Sequence, residues 1–436
     1  MSEMRPNYPH DWTSQTLEQL CFQVTSGGTP TSGSRRYYVE FGGLPFAKTE
    51  DLTRARTKFI DDCELAISDA ALKESAAKRY PAGTIFVSMY GTIGLTKIAA
   101  VEMAGNQALC ALVPPFACNS DYLHHHLEYI RPHWLKHSGQ TTQANINGAT
   151  VRAHEVPLPS FSEQRAIAQI LDTLDTAIHE TEAIIAKLKA VKQGLLHDLL
   201  TRGIDDNGEL RPPQSETPHL YKPSPLGWIP KEWEQAYLGA KVEFFGGYAF
   251  PERCQGQSEG EVPFFKVSDQ SNPGNERDLR VANNYVSREL ARKQGWKLLP
   301  EGGVAFAKVG AALLMNRRRL LAQDSLVDNN MMVATGGDEV HSTWLYWFLQ
   351  TIDFGKIVQD GALPSVNQGQ LGALPASFPK LEEQREIADR LNRLDGILDM
   401  EQICLEKSRQ LKTALMDDLL TGRVRVTPLL QEAQHA

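Results

Sequence analysis

The sequence predicts an α+β protein: two mixed α/β modules joined by two long antiparallel coiled-coil helices, pseudo-two-fold in plan. Three observations predict it. Ser162–Gly203 returns without a gap 220 residues later as Glu382–Arg423, sharing Glu163/Glu383, Gln164/Gln384, Arg165/Arg385, Leu171/Leu391, Leu174/Leu394, Asp175/Asp395 and a closing Asp-Leu-Leu-Thr. In both copies the apolar residues fall at alternating spacings of three and four. The segments ahead of the two copies also repeat, more faintly. A long ungapped repeat means two copies of one structural unit, which most simply form a pseudo-symmetric molecule.

Taken in order, residues 1–157 form the first module. Short β-type runs such as Thr84-Ile-Phe-Val-Ser-Met-Tyr-Gly91, punctuated by glycine and proline, predict mixed α/β structure. Residues 158–204 form the first long helix. Its seam is Ile167, Leu171, Leu174, Ile178, Ile185, Leu188, Leu195 and Leu199, with Thr181 and Lys192 in two polar slots. A period near 3.5 is that of helices packed on one another. Ser160 or Ser162 can cap the helix and Gly203 can stop it. Roughly 40 residues at 1.5 Å each give about 60 Å. Residues 205–230 hold six prolines and no helical period, which predicts an extended, semi-rigid linker.

The second module, residues 231–377, opens at Trp233 as the first opens at Trp12. Gly27-Gly28 answers Gly246-Gly247, and Leu44–Asp51 answers Val262–Asp269. Tyr80–Gly91 answers Leu299–Gly310, and Asn145 answers Asn367. The second long helix, residues 378–425, has the seam Ile387, Leu391, Leu394, Leu398, Leu405, Leu415 and Leu419, with Glu401, Ser408 and Lys412 in polar slots. A tail, residues 426–436, closes the chain.

Composition narrows the class. Hydrophobic content of 42% and charged content of 22% are those of a soluble globular protein. There is no apolar run of 18 residues and no apolar leader, so neither a membrane span nor a secretory signal is expected. Six scattered cysteines form no CxxC pair, which predicts a reduced, cytoplasmic protein without a disulfide framework. The net charge of −8 argues against bulk electrostatic coating of nucleic acid. Trp12–Val156 carries 13 basic and 13 acidic residues and Lys231–Ala376 carries 15 and 17, so any such contact depends on local segregation of charge.

The repeated Glu-Gln-Arg helix starts follow proline-containing apolar stretches, Val156-Pro-Leu-Pro-Ser-Phe-Ser and Phe378-Pro-Lys-Leu-Glu. With Pro225-Leu-Gly-Trp-Ile-Pro-Lys-Glu-Trp233, they make the chain resemble the specificity subunit of type I restriction-modification systems over about Trp12–Arg425. The resemblance implies two target recognition domains, each reading half of a split, asymmetric site in double-stranded DNA. It further implies that the helices hold the domains apart and dock two modification subunits, with restriction/motor subunits joining for cleavage. No cofactor is implied on this chain; S-adenosylmethionine belongs on the modification subunit. A rigid spacer would make half-site spacing a geometric property of the protein. One residue added to a helix would rotate the module beyond it by about 100°.

Base reading needs donors and acceptors offered to the major groove, and phosphate contact uses the same side chains with backbone N–H groups near glycine. Four groups fit. Lys48, Thr49 and Asp51, with Lys266, Ser268 and Asp269, follow a short apolar strand in both halves; a strand-end turn is the alternative. Ser88, Tyr90, Gly91 and Thr92, with Lys308, sit at the next strand-to-loop transition, which would otherwise be a plain tight turn. Gln140, Thr142, Gln143, Asn145 and Asn147, with Ser365, Asn367 and Gln368, precede the long helices and could contact DNA or cap and brace. Arg317, Arg318 and Arg319 form the densest basic run, and phosphate contact competes there with an ordinary solvated face.

Glu163, Gln164, Arg165 and their mates Glu383, Gln384 and Arg385 suit either helix capping or matched docking of two modification subunits. His124-His125-His126 reads as part of an ordinary helix, since adjacent histidines point apart and no supporting Cys or acid pattern surrounds them.

The sequence holds no GxxxxGK[ST] loop, no acid two residues before any lysine, and no Asn/Asp-Pro-Pro-aromatic run. It therefore reads as a non-catalytic subunit. The competing readings are a coiled-coil scaffold without DNA specificity, and a methyltransferase or nuclease with an unrecognised site.

Overall fold

In the computed structural model, residues 8–137, 145–358 and 363–428 are described. The chain divides into two compact units, Met1–Ile185 with Glu401–Ala436, and Ala186–Met400. In the first, Cys21–Ser26, Leu109–Pro115, Ile85–Ser88, Thr96–Ala99 and Phe59–Ile60 form one five-stranded sheet in that spatial order. A second sheet runs Tyr38–Val39, Ala66–Ile67, Leu44–Ala47, Met103–Gly105, Lys78–Tyr80. Thr13–Thr16 pairs antiparallel with Glu155–Leu158, tying the start of the module to the residues just before the long helix.

The other unit repeats the plan. Val242–Gly246, Met331–Gly336, Val304–Ala307, Arg318–Leu321 and Asp278–Leu279 form its five-stranded sheet, with the last pair parallel as in the first unit. Tyr285–Val286, Val262–Phe265 and Leu326–Val327 answer the middle strands of the first unit's second sheet. Alternation explains the strands: Val304, Phe306, Met332 and Ala334 turn to one core, while Ala305, Leu321, Met331 and Val333 turn to another.

The two long helices are Phe161–Thr201 and Leu381–Leu420. Within the first unit, Asp175 pairs with Lys412 and Glu182 with Arg409, so as one helix number rises the other falls. Within the second, Lys192 pairs with Asp395, and Glu383 accepts from the Ile204 N–H at 2.8 Å. Both pairings are antiparallel. The polar seam positions now have a reason. Asp175 and Asp395 are repeat mates, as are Lys192 and Lys412, so the repeat generates the same ion pair twice. Each lysine replaces an apolar knob with a registered charge pair, a device that fixes alignment at some expense of stability. Ile167, Ala168 and Leu171 join Trp12 and Leu419 in one core; Ile387, Ala388 and Leu391 join Trp233 and Leu199 in the other.

Residues 205–230 are not the extended linker that composition predicts. Ile204 bridges Leu210, Tyr221–Ser224 pairs antiparallel with Gly227–Pro230, and Tyr221 and Ile229 are buried. Prolines within a two-stranded ribbon are tolerated because half of its N–H groups face no partner strand. Buried Tyr221, Ile229 and Arg211 supply contacts that a proline count does not register.

The helix Ser120–His137 buries all three adjacent histidines. His125 Nε2 lies 2.9 Å from Asp172, His126 Nε2 lies 3.0 Å from His154 Nε2, and His124 meets Thr96 Oγ1 at 3.2 Å. Burial pushes His124 and His126 far below the usual imidazole range and takes His154 down to about 4. Unfolded histidine takes up its proton near pH 6.5, so between that pH and 4 the unfolded chain binds more protons, and stability falls as pH falls. His154 keeps some solvent access, so we expect it to account for roughly 1–3 kcal/mol over that window. Urea midpoints of the full chain at pH 7 and pH 4.5 should separate, and the separation should shrink in His154→Gln. An equal separation in the variant would remove His154 from the account.

Candidate nucleic-acid interface

Three loops that lie far apart in sequence are tied together by backbone hydrogen bonds, in the same order in each unit. In the first, the strand Leu44–Ala47 ends on a carbonyl that accepts from Asn106 N at 3.1 Å, just before Lys48. Ala108 O accepts from Met89 N at 2.8 Å, and Met89 O accepts from Ile146 N at 3.2 Å. In the second, Phe265 O accepts from Asp328 N at 2.9 Å, just before Lys266. Asn330 O accepts from Lys308 N at 2.8 Å, and Lys308 O accepts from Val366 N at 2.9 Å. Bridges Tyr90–Asn145 and Val309–Ser365 extend the last contact. Each relay gathers one lysine loop, one strand-end loop and one pre-helical loop at one end of its unit.

The glycine pairs belong to the same place. A Cβ on Gly27 would lie 2.1 Å from Gly105 O, and one on Gly247 would lie 1.9 Å from Asp328 O. Only a residue without a side chain fits at these two positions, one in each Gly-Gly pair.

The individual side chains divide into those that face solvent and those used internally. Lys48, Thr49 and Lys266 are half-buried and Ser268 is exposed. Asp51 and Asp269 are buried: each accepts from the N–H three residues earlier, Lys48 and Lys266, at 2.9 Å. They shape their loops and are not offered to a ligand, because a carboxylate spent on backbone N–H groups in the interior has no free face. Tyr90 and Gly91 are exposed, Gly91 at φ +72°, and Thr92 and Lys308 are half-buried. Ser88 is fully buried and donates to Tyr90 O at 2.9 Å, so it fixes the loop from inside.

Asn145, Asn147, Ser365, Asn367 and Gln368 are all exposed. Asn147 and Asn367 also cap the short helices that follow, accepting from Thr150 N and Gln370 N at 2.9 Å. Gln368 donates to Phe244 O. Gln140, Thr142 and Gln143 lie outside the described residues.

The arginine run splits. Arg317 is half-buried and donates to Ser271 Oγ at 2.6 Å, and Arg319 donates to Arg318 O at 2.9 Å. Arg318 is wholly buried, so the expectation of three adjacent phosphate contacts is corrected to two candidates. A strand alternates its faces, and the middle residue of three must point opposite to its neighbours. Sequence reasoning also missed the turn at the centre of each relay, Asn106-Gln107-Ala108 and Asp328-Asn329-Asn330. The signal was present as a polar insertion between two apolar strand runs, 222 residues apart.

The family described as the type I restriction modification DNA specificity domain matches residues 9–190 and 230–407, which is most of the chain and both of its halves. The chain belongs to the type I restriction-modification specificity family. The MjaIX specificity subunit of Methanocaldococcus jannaschii is 26% identical over 308 residues, 70% of this chain and 68% of that one. A protein named as the putative MjaX specificity subunit of the same organism is 22% identical over 448 residues, 96% and 95% of the two chains. The type I restriction-modification S subunit from M. genitalium shares the fold at a TM-score of 0.58 and 15% identity, covering 96% of this chain and 97% of its own. A structure described in terms of complex assembly and conformational transition of the type I R-M system matches at a TM-score of 0.55 and 15% identity, covering 96% and 100%.

Both copies of Glu-Gln-Arg in this specificity subunit open a long helix, and their first two residues face inward. Ser160 Oγ accepts from Glu163 N at 3.3 Å, which identifies Ser160 as the cap. Gln164 donates to Pro159 O at 2.9 Å and accepts from Asn119 N at 2.8 Å. Gln384 does the same with Pro379 O and His341 N, at 2.9 and 2.8 Å. Glu163 holds Arg425 and Thr427, and Glu383 holds Arg211 and Trp233. Only Arg165 and Arg385 of the six are exposed. No described helix is long and apolar enough to cross a membrane.

Proposed function

We propose that each unit of this specificity subunit reads one half of a split, asymmetric site in double-stranded DNA through the end of the module that its hydrogen-bond relay assembles. The observation that carries this is the duplication: the loop residues of each half are gathered by the same backbone bonds in the same order. Lys48, Tyr90, Asn145 and Asn147 would serve one half-site, while the Thr92 hydroxyl is enclosed by the protein. Lys266, Ser268, Lys308, Arg317, Arg319, Ser365, Asn367 and Gln368 would serve the other. These are the residue types that contact base edges and phosphates.

The chain would act without chemistry of its own, as the non-catalytic member of a cytoplasmic complex. Two modification subunits carrying S-adenosylmethionine would dock on the helices, with Arg165 and Arg385 the exposed members of the repeated motif, and restriction/motor subunits would join them. Near-neutral modules supply limited nonspecific attraction, so a partner's basic surface would provide part of the affinity.

Exchanging residues 8–157 for the matching segment of another family member tests the reading. Methylation sequencing of DNA from cells carrying the chimera and its modification subunit should show one half of the split motif replaced and the other retained. Both halves unchanged, with the modification subunit active, would remove the half-site assignment.

A further inference from the structure

The turn at the centre of each relay carries an exposed amide that no part of the sequence pattern singles out. In the first unit, Asn106 accepts from Ala108 N through Oδ1 at 3.1 Å and from Leu109 N through its carbonyl at 3.2 Å. In the second, Asp328 accepts from Asn330 N through Oδ1 at 3.0 Å and from Met331 N through its carbonyl at 3.0 Å. The two turns are the same turn, with the first side chain folded back to hold the backbone. That leaves the next position projecting outward, and it is Gln107 in one unit and Asn329 in the other. Both are exposed amides.

The surroundings fit a reading position. The Gly-Gly pair that abuts the turn carries no side chains that could cover it, and the loops bearing Lys48 and Tyr90, or Lys266 and Lys308, are bonded to its two sides. In the second unit the Lys308 amine lies 3.2 Å from where a Gly246 Cβ would stand, beside the same turn. In the first, the Thr29 hydroxyl donates to Gln107 Oε1. That contact holds the amide plane and leaves the Nε2 donor and a second acceptor lone pair for a ligand. An amide on a rigid turn beside a lysine-bearing loop has the paired donor and acceptor that match adenine N7 and N6 in the major groove.

We propose that Gln107 and Asn329 are specificity-determining residues, each contacting one base pair of the half-site its unit reads, with adenine as the complementary base. The proposal rests on the half-site reading above. It predicts that Gln107→Ala relaxes the motif at one position of one half, and that Asn329→Ala relaxes one position of the other half. A lost bidentate contact should lower discrimination at that position by roughly 5- to 100-fold.

The experiment is methylation sequencing of genomic DNA from cells bearing the modification subunit with the wild-type chain, Gln107→Ala, Asn329→Ala, or the conservative Gln107→Glu. Co-purification of each variant with the modification subunit reports folding. Relaxation confined to one position per half, sharpened toward a donor-bearing base in Gln107→Glu, supports the proposal. An unchanged motif in both alanine variants overturns it and leaves the half-site reading standing. A uniform drop at all sites without relaxation assigns the amides to phosphate contact and also overturns it. If the wild-type chain directs no split motif, the half-site reading falls and takes the proposal with it.

Discussion

Replacing Glu383 with alanine lowers the stability of its unit by about 3 kcal/mol, the cost of taking the nearer carboxylate from a buried cation that keeps only the half-exposed Glu232 at 3.5 Å. Glu383 is 12% exposed and Arg211 is 7% exposed, so little solvent is present to compensate. The carboxylate also accepts from Trp233 Nε1 at 3.1 Å and from Ile204 N at 2.8 Å, and both donors would lose their acceptor. Nothing can refill the space cheaply. Gly203 stands against it at φ +64°, where a Cβ would come within 2.1 Å of Glu383 Oε1 and 2.4 Å of Trp233. The repeat supplies an internal control. Glu163 is buried, but its partner Arg425 is 30% exposed and can turn to water. Glu163→Ala should therefore cost less than half as much. Guanidinium titrations of the full chain read both values, and a Glu383→Ala loss under about 1 kcal/mol would show the site to be water-filled and forgiving.

Arg318→Ala should destabilise the same unit on the order of 3 kcal/mol, while Arg317→Ala should leave it within about 0.5 kcal/mol of the parent. Arg318 donates to Asn316 O at 2.6 Å and to Ile352 O, and its guanidinium stacks 3.8 Å from the Phe354 ring centroid. Asn316 sits at φ +55°, a conformation that asparagine adopts more readily than most residues, and its Oδ1 accepts from both Arg318 and Phe354 N. Burial pulls the Arg318 guanidinium down to about 10, so it stays charged at neutral pH and its donors remain in use. Truncation would leave two interior carbonyls without donors and open a cavity beside Phe354. Melting temperatures should separate by roughly 6–12 °C. The DNA readout should invert the order, with Arg317→Ala flattening the salt dependence of binding and leaving folding intact. Equal melting temperatures for the two variants would return Arg318 to the surface.

How much of this was legible beforehand differs by element. The seam of Ile167, Leu171 and Leu391 shows in the sequence because a helix repeats its environment every 3.5 residues, and the environment selects the residue type. The polar slots at Lys192 and Lys412 were visible as interruptions but not as ion pairs, since their partners lie more than 200 residues away along the chain. The linker misread has a similar origin. Proline content reports on local backbone stiffness and says nothing of Tyr221 or Arg211 finding a core.

Periodicity and internal repetition are local properties that survive without coordinates, so the bare chain was enough to establish a duplicated pair of modules with paired long helices. It was also enough to pick out the loops that converge. Which residues of those loops face outward became visible only once the strands were assembled. Asp51, Asp269, Ser88 and Arg318 carry the same polar chemistry as their exposed neighbours, and the turns bearing Gln107 and Asn329 repeat only as a short polar insertion between apolar strands. Whether a polar side chain is spent on the protein's own backbone or left for a partner depends on donors and acceptors brought in from distant strands. That matching is a property of the folded chain alone.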